Sequence, residues 1–113
     1  MSVKNISKIC RESLNQSKAI DILFLDIEKI SSFADRLVIA TASSNIHAKS
    51  VSDKLVESLK KNDIKIIGVE GQSDSGWILV DCGDLVINIM KKDIREFYDL
   101  ESLWGHHPIN NSD

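Results

Sequence analysis

The chain has 113 residues, the length of one domain, and its 42% hydrophobic content is enough to bury a single core. No stretch approaches the ~20 consecutive apolar residues that a membrane span requires, and the N-terminus mixes charged and apolar residues instead of forming the apolar run of a signal peptide. The two cysteines, Cys10 and Cys82, lie far apart and belong to no C-x-x-C pair, so we expect a reduced protein of the cytoplasm.

The two parts of the chain differ in charge. Residues 1–62 carry ten Lys and Arg against seven Asp and Glu, a net charge of +3, whereas residues 63–113 carry four against ten, a net charge of −6. The acidic part argues against contact with a phosphate backbone, so no direct binding to nucleic acid is expected. It suits a basic partner, because complementary fields speed encounter. The alternative is that these charges only keep a small protein soluble.

Taken in chain order, the apolar residues predict three helices and five strands. Apolar side chains at helical spacing indicate helices at 2–16, at about 46–61 and over a short segment that starts at Lys92. Short apolar runs bounded by polar residues predict strands at 22–27, 37–42, 64–70, 77–81 and 85–90. The polar residues at 43–45 offer an N-cap for the second helix, and Gly83 supplies the backbone freedom of a tight hairpin turn. This order predicts a single α+β domain with a mixed five-stranded sheet and helices mainly on one face.

The strand at 77–81 distinguishes the two faces of the predicted sheet. Ile78 and Val80 point to one side, and the other side carries Trp77, Leu79 and Asp81. The partner strand continues this second face with Val86, Asn88 and Met90. Two long helices and one short helix do not easily cover both faces of five strands, so we expect the second face to be partly open. An open apolar face indicates an interface, with another protein or with a second copy in a homodimer, unless the C-terminal segment of the chain folds over it.

Candidate catalytic groups are sparse. Asp26 and Glu28 share one face of a strand and could bind a divalent metal, but no third carboxylate joins them and no glycine-rich phosphate loop precedes them. Cys82 has no neighbouring Lys or His in the sequence that would activate it as a nucleophile. His106 and His107 are adjacent, which is not the spacing of metal ligands. We therefore expect no enzyme activity, no catalytic residue, no metal and no cofactor.

Two blocks of sequence resemble the ribosomal silencing factor family, whose members are also called Iojap-like proteins. The longer block is GVEGQSDSGWILVDCGDLVINIMKKDIREFYDLESLW, and the earlier one is SSFADRLVIATASSNIHAKSVSDKL. The longer block contains the pattern Trp-x-x-x-Asp-x-Gly-Asp and ends in Arg-x-x-Tyr-x-Leu-Glu-x-Leu-Trp. The resemblance covers about residues 3–104. One position departs from it, because the family commonly has His where this chain has Asn88.

The resemblance implies a fold and a function. The fold would be a compact α+β domain over residues 1–105, similar to a nucleotidyltransferase but without catalytic carboxylates, followed by a disordered tail at 106–113. The function would be to bind the large ribosomal subunit through ribosomal protein L-fourteen, at the surface that faces the small subunit. Bound there, the protein would hinder subunit joining and lower translation when nutrients are short. Two alternatives are an assembly factor of the large subunit and, in a different class, a metal-dependent nucleotidyltransferase.

Under this resemblance the partly open face supplies the contact residues. Trp77 is the expected apolar anchor, with Leu79 and Met90 beside it. Three carboxylates are expected to face Lys and Arg side chains of the partner. They belong to Glu70, Asp81 and Glu101.

The segment REFYDLESLW divides its side chains between packing and contact. Phe97, Leu100 and Leu103 follow at i, i+3 and i+6, which predicts an inward-facing helical stripe. Tyr98 falls on the other side, and its polar tip suits an interface. Trp104 is expected to dock on the edge of the domain, the alternative being direct contact with the partner.

Overall fold

A computed structural model describes residues 2–71, 75–104 and 108–109 of the chain. The described part contains four helices and five strands. The helices are α1 (Val3–Gln16), α2 (Asn45–Lys61), α3 (Lys92–Tyr98) and α4 (Leu100–Trp104). The strands are β1 (Ile20–Asp26), β2 (Arg36–Ala42), β3 (Gly68–Glu70), β4 (Trp77–Asp81) and β5 (Leu85–Lys91). Within these ranges, no helix combines the length and the apolar character that crossing a membrane would demand.

The five strands form one mixed sheet in the order β1-β2-β5-β4-β3. Strands β2 and β5 are parallel, with Val38 opposite Ile87. The other three neighbouring pairs are antiparallel, including the β4–β5 hairpin. The predicted α+β class and mixed five-stranded sheet are therefore confirmed.

Helices α1 and α2 cover one face of the sheet. Their apolar sides meet strand residues that are almost fully buried, among them Ile78 and Val80 at 3% and 0% exposure. The hydroxyl of Ser44 accepts a hydrogen bond from the backbone N–H of His47 at 3.0 Å, so the N-cap of α2 lies within the predicted polar triplet. The prediction that Ile78 and Val80 face the helix-covered core is confirmed.

The second face of the sheet is covered in part by the C-terminal helices. Leu100 and Trp104 of α4 pack against a second apolar cluster, together with Ile94 of α3. The buried members of this cluster are Leu25, Ile27, Ala34, Leu37, Ile39, Val86 and Met90. The sequence allowed two alternatives for this face, an interface or a cover formed by the C-terminal segment. The structure shows that the C-terminal segment covers part of it.

A break between α3 and α4 changes which C-terminal side chains face inward. Asp99 has a φ of 47° in the left-handed region and ends α3, so the two helices are not one continuous stripe. Phe97 is 80% exposed and Leu103 is 66% exposed, whereas Leu100 is half-buried. The predicted inward stripe is therefore wrong at Phe97 and Leu103.

The third strand is shorter than the predicted 64–70. The backbone N–H of Ile64 donates to the carbonyl of Leu59, and that of Asp63 donates to the carbonyl of Lys60, while Asp63 has a φ of 58°. This is a Schellman arrangement, in which the residues after a helix satisfy its last carbonyls. Ile64 is thus part of the end of α2, and the strand begins only at Gly68.

Two residues of the predicted disordered tail are ordered against β1. The backbone N–H of Ile109 donates to the carbonyl of Phe24 at 2.8 Å, and Pro108 forms an antiparallel bridge with Leu25. Ile109 also packs against the core beneath α1. The prediction is therefore wrong for Pro108 and Ile109. The other tail residues, at 106–107 and 110–113, lie outside the described part of the chain.

Candidate partner-binding surface

Aromatic side chains meet where β4 begins and α3 ends. Trp77 is partly exposed, and its ring lies 4.9 Å from that of Tyr98 between centroids, with the planes tilted by 51°. Tyr98 is 52% exposed and contacts the ring of Phe97 edge-on at 5.0 Å. Leu79 lies two residues further along β4 on the same face and is also partly exposed. We call Trp77, Leu79, Phe97 and Tyr98 the aromatic patch.

The indole of Trp77 is hydrogen-bonded into the sheet. Its Nε1–H donates to Oδ1 of Asn88 at 2.9 Å, and Nδ2 of Asn88 donates to the carbonyl of Val38 at 3.3 Å. Asn88 is 1% exposed. The amide that departs from the family pattern is therefore a buried link between the aromatic patch and the centre of the sheet.

Met90 lies directly opposite Trp77 on β5 but is not accessible. It is 0% exposed because it belongs to the apolar cluster beneath the C-terminal helices. The expectation that Met90 contributes contact area beside Trp77 is therefore wrong in this structure. The sequence placed Met90 on the correct face and missed only the helices that cover it.

Arg95 ties the C-terminal helices to the first two strands. Its guanidinium donates to both carboxylate oxygens of Glu101, from Nε at 3.0 Å and from Nη2 at 3.3 Å. Its Nη1 donates to the carbonyl of Asp21 at 2.6 Å and to the hydroxyl of Thr41 at 2.8 Å. The Glu101 carboxylate, which was expected to face a partner, is thus engaged within the domain.

The other two predicted acidic contacts differ in their local roles. Oδ1 of Asp81 accepts the backbone N–H of Gly83 at 2.8 Å, so this carboxylate braces the hairpin turn, where Gly83 has a φ of 85°. Glu70 is exposed at the end of the edge strand β3, opposite Leu79 of the aromatic patch. Glu70 is therefore the predicted acidic residue whose side chain is most open to solvent.

Trp104 docks on the domain, as the sequence favoured. It is half-buried, packs against the second apolar cluster and contacts the ring of Phe33 edge-on at 5.9 Å between centroids. Phe33 lies in the loop between β1 and β2 and is 56% exposed. The sequence pattern assigns Phe33 no role, although a large apolar residue outside the predicted helices and strands is a usable signal.

The remaining candidate groups have structural contacts. Oδ1 of Asp26 accepts the backbone N–H of Glu28 at 3.1 Å, which is the geometry of a local turn. Burial, and secondarily the charge of Asp81, raises the pKa of the Cys82 thiol to about 11, so the thiol is protonated at neutral pH. Burial also raises the pKa of Cys10. Within the described ranges, no group of three or more His, Cys, Asp or Glu side chains is placed to hold a metal ion.

Comparison with known proteins points to a class of ribosome-associated regulatory proteins. The family model for the ribosomal silencing factor during starvation matches residues 1–113. A ribosomal silencing factor of Chromobacterium violaceum is 38% identical over 105 residues, which are 93% of this chain and 86% of that protein. The ribosomal silencing factor of Bacillus subtilis is 35% identical over 113 residues, which are 100% of this chain and 96% of that protein.

A solved structure agrees with this sequence match. The crystal structure of a Chromobacterium violaceum protein superposes with a TM-score of 0.91 at 36% identity, over 97% of this chain and 92% of that one. This chain belongs to the ribosomal silencing factor family. The resemblance that the sequence carries is therefore confirmed.

Proposed function

We propose that this protein represses translation by binding the large ribosomal subunit through ribosomal protein L-fourteen and blocking the approach of the small subunit. The observation that carries the proposal is the aromatic patch, where Trp77, Leu79 and Tyr98 remain partly exposed beside the part of that sheet face that the C-terminal helices cover. Exposed aromatic side chains on rigid elements are typical of the centre of a protein interface. Membership of the ribosomal silencing factor family supports the ribosome as the partner.

Charge around the patch supports a basic partner protein. Glu70 is exposed beside Leu79, and the C-terminal part of the chain, residues 63–113, has a net charge of −6 from four basic and ten acidic residues. Ribosomal proteins that contact RNA need basic surfaces, so an apolar centre with an exposed carboxylate at its edge complements them. The contact is therefore expected to lie between proteins.

Obstruction requires only volume. The domain measures 33 × 32 × 24 Å. Two surfaces whose side chains are in direct contact leave no room for a body of this size. Bound on the surface that receives the small subunit, a body of this size separates the two subunits without any chemical step.

The proposal is tested by replacing Trp77 with Ala. Truncating an interface anchor costs about 2 kcal/mol or more, which is a loss of at least ~30-fold in affinity. Binding to purified large subunits is measured by co-sedimentation, and subunit joining is measured on sucrose gradients with and without the protein. The control is Ile46→Ala, because Ile46 is 85% exposed on α2, which packs on the opposite face.

Two results contradict the proposal. One is a wild-type protein that does not bind large subunits or leaves subunit joining unchanged. The other is a folded Trp77→Ala variant that binds as tightly as wild type. To test the named partner, the isolated ribosomal protein L-fourteen should bind the wild-type protein and compete with large subunits for it.

A further inference from the structure

Asn88 is a polar side chain in the middle of β5, a strand of mainly apolar residues. Its neighbours along β5 are Val86, Ile87, Ile89 and Met90, and all of them are buried. Asn88 itself is 1% exposed. Burying an amide is unfavourable unless it is hydrogen-bonded, so the contacts of Asn88 indicate why an amide can occupy this position.

The orientation of the Asn88 amide is fixed by the chemistry of its two partners. The indole nitrogen of Trp77 is only a donor, so it must face the amide oxygen, and the two atoms are 2.9 Å apart. The carbonyl of Val38 is only an acceptor, so it must face the amide nitrogen, at 3.3 Å. The reversed amide would satisfy neither partner. The backbone of β2 therefore orients Asn88, and Asn88 in turn orients Trp77.

This arrangement determines what Trp77 presents to solvent. The indole has one polar atom, and that atom is turned into the sheet toward Asn88. Tyr98 supports the ring from α3, with 4.9 Å between centroids. The exposed part of the Trp77 side chain is therefore carbon, and a molecule that covers it has no indole N–H to satisfy.

We propose that Asn88 is a positioning residue for partner binding, which holds the Trp77 indole in the orientation that presents an apolar surface to an apolar side chain of the partner protein. This inference rests on the proposed function, in which the aromatic patch contacts the large subunit. Asn88 itself does not touch the partner, because it is buried. Its effect on binding is transmitted through the indole N–H of Trp77.

The test is a double-mutant cycle between Asn88→Leu and Trp77→Phe, measured as affinity for large subunits. Asn88→Leu removes the acceptor at similar volume, and Trp77→Phe removes the N–H but keeps an aromatic ring. Freeing one immobilised side chain weakens binding by about three- to tenfold. Asn88→Leu is expected to show this loss in the wild-type background and no further loss in the Trp77→Phe background, because the two act through one hydrogen bond.

A second measurement follows the indole directly in the free protein. The Trp77 indole N–H signal is assigned by its disappearance from the nitrogen–proton NMR spectrum of Trp77→Phe. In the wild-type protein this proton is expected to exchange with water at least about tenfold more slowly than that of free tryptophan, because it is bonded to a buried amide. In Asn88→Leu the signal should shift and its exchange should accelerate. This measurement needs no ribosome, and its wild-type arm needs no folded Asn88 variant.

Asn88→Leu also replaces a buried polar side chain by an apolar one. The control for that change alone is Ser52→Ala. Ser52 is 1% exposed on α2, behind the opposite face of the sheet. It is expected to leave both the affinity and the Trp77 signal unchanged.

The outcomes separate this inference from the function on which it rests. If the wild-type protein does not bind large subunits, the proposed function fails and the positioning role fails with it. If the wild-type protein binds but Asn88→Leu binds equally well, only the positioning role is overturned. Additive losses in the cycle, or a wild-type indole proton that exchanges as fast as free tryptophan, overturn it as well.

Discussion

Replacing Glu101 with Gln is expected to destabilise the domain by loosening the C-terminal helices. The carboxylate of Glu101 accepts two hydrogen bonds from Arg95, at 3.0 and 3.3 Å, and this pair joins α4 to α3. The side chain of Arg95 is 11% exposed and that of Glu101 is 36% exposed. The pair is therefore shielded on one side and partly open to water on the other.

The expected magnitude lies between two known limits. Exposed ion pairs contribute about 0.2–1 kcal/mol, whereas removing one partner of a buried pair costs about 3–5 kcal/mol. Arg95 keeps two acceptors after the substitution, the carbonyl of Asp21 and the hydroxyl of Thr41. We therefore expect Glu101→Gln to lower the free energy of unfolding by about 2 kcal/mol, which lowers the Tm by roughly 8 °C in a domain of this size.

Thermal unfolding followed by circular dichroism measures this effect. The matched control is Glu96→Gln on α3, because Glu96 is exposed and has no ion-pair partner within the described ranges. An Arg95→Gln/Glu101→Gln double variant should lose less than the sum of the two single losses, since both remove the same contact. The reasoning is refuted if Glu101→Gln melts within about 1 °C of the wild-type protein, as the control should.

Three further predictions concern charge, the hairpin turn and the tail. In stopped-flow kinetics, Glu70→Lys should slow association with large subunits at low salt, and the defect should shrink as salt is added, because the Debye length falls to ~8 Å at physiological ionic strength. The control Glu12→Lys on α1 should have little effect. Asp81→Ala should lower the free energy of unfolding by about 1 kcal/mol in urea titrations, because the N–H of Gly83 loses its acceptor, and an unchanged midpoint would contradict this role. For a chain that stops after Trp104, the same titration should show a free energy of unfolding lower by about 1–2 kcal/mol, because the hydrogen bond and apolar contact of Ile109 are missing. Equal stability would show that the tail is dispensable.

The faces of the hairpin could be read from the sequence because the side chains of a strand alternate with a fixed period of two. Ile78 and Val80 are buried against the helices, and Trp77 and Leu79 lie on the other face, as that period requires. The end of α2 could not be read in this way. Ile64 begins an apolar run that looks like a strand, yet its backbone N–H closes the helix through the carbonyl of Leu59.

The C-terminal helices show the larger gap between sequence and structure. The spacing of Phe97 and Leu103 is helical, but one left-handed residue at Asp99 shifts the phase of everything after it. Asp adopts this conformation more readily than most residues, but the sequence does not say when it will. Met90 is a related case, because its burial depends on helices whose position the strand pattern does not contain.

Contacts between segments that lie far apart in the chain could not be predicted from the sequence either. Arg95 binds the carbonyl of Asp21, 74 positions away in the chain, and that residue has a φ of 50° where β1 departs from regular pairing with β2. Neither the irregularity nor the contact has a local signal. For this reason the sequence pattern predicts a partner contact for Glu101, whereas the structure pairs its carboxylate with Arg95.

The C-terminal segment both completes the core and defines the border of the aromatic patch. Leu100 and Trp104 pack over the second apolar cluster, yet they leave Trp77 of β4 partly exposed. Tyr98 ends α3 against the Trp77 ring, and Asn88 holds the same ring from within the sheet. A side chain that is already fixed loses little conformational freedom when a partner covers it, so less of the contact energy is spent on ordering. The C-terminal segment that covers one part of the sheet therefore also prepares the aromatic patch beside it for binding.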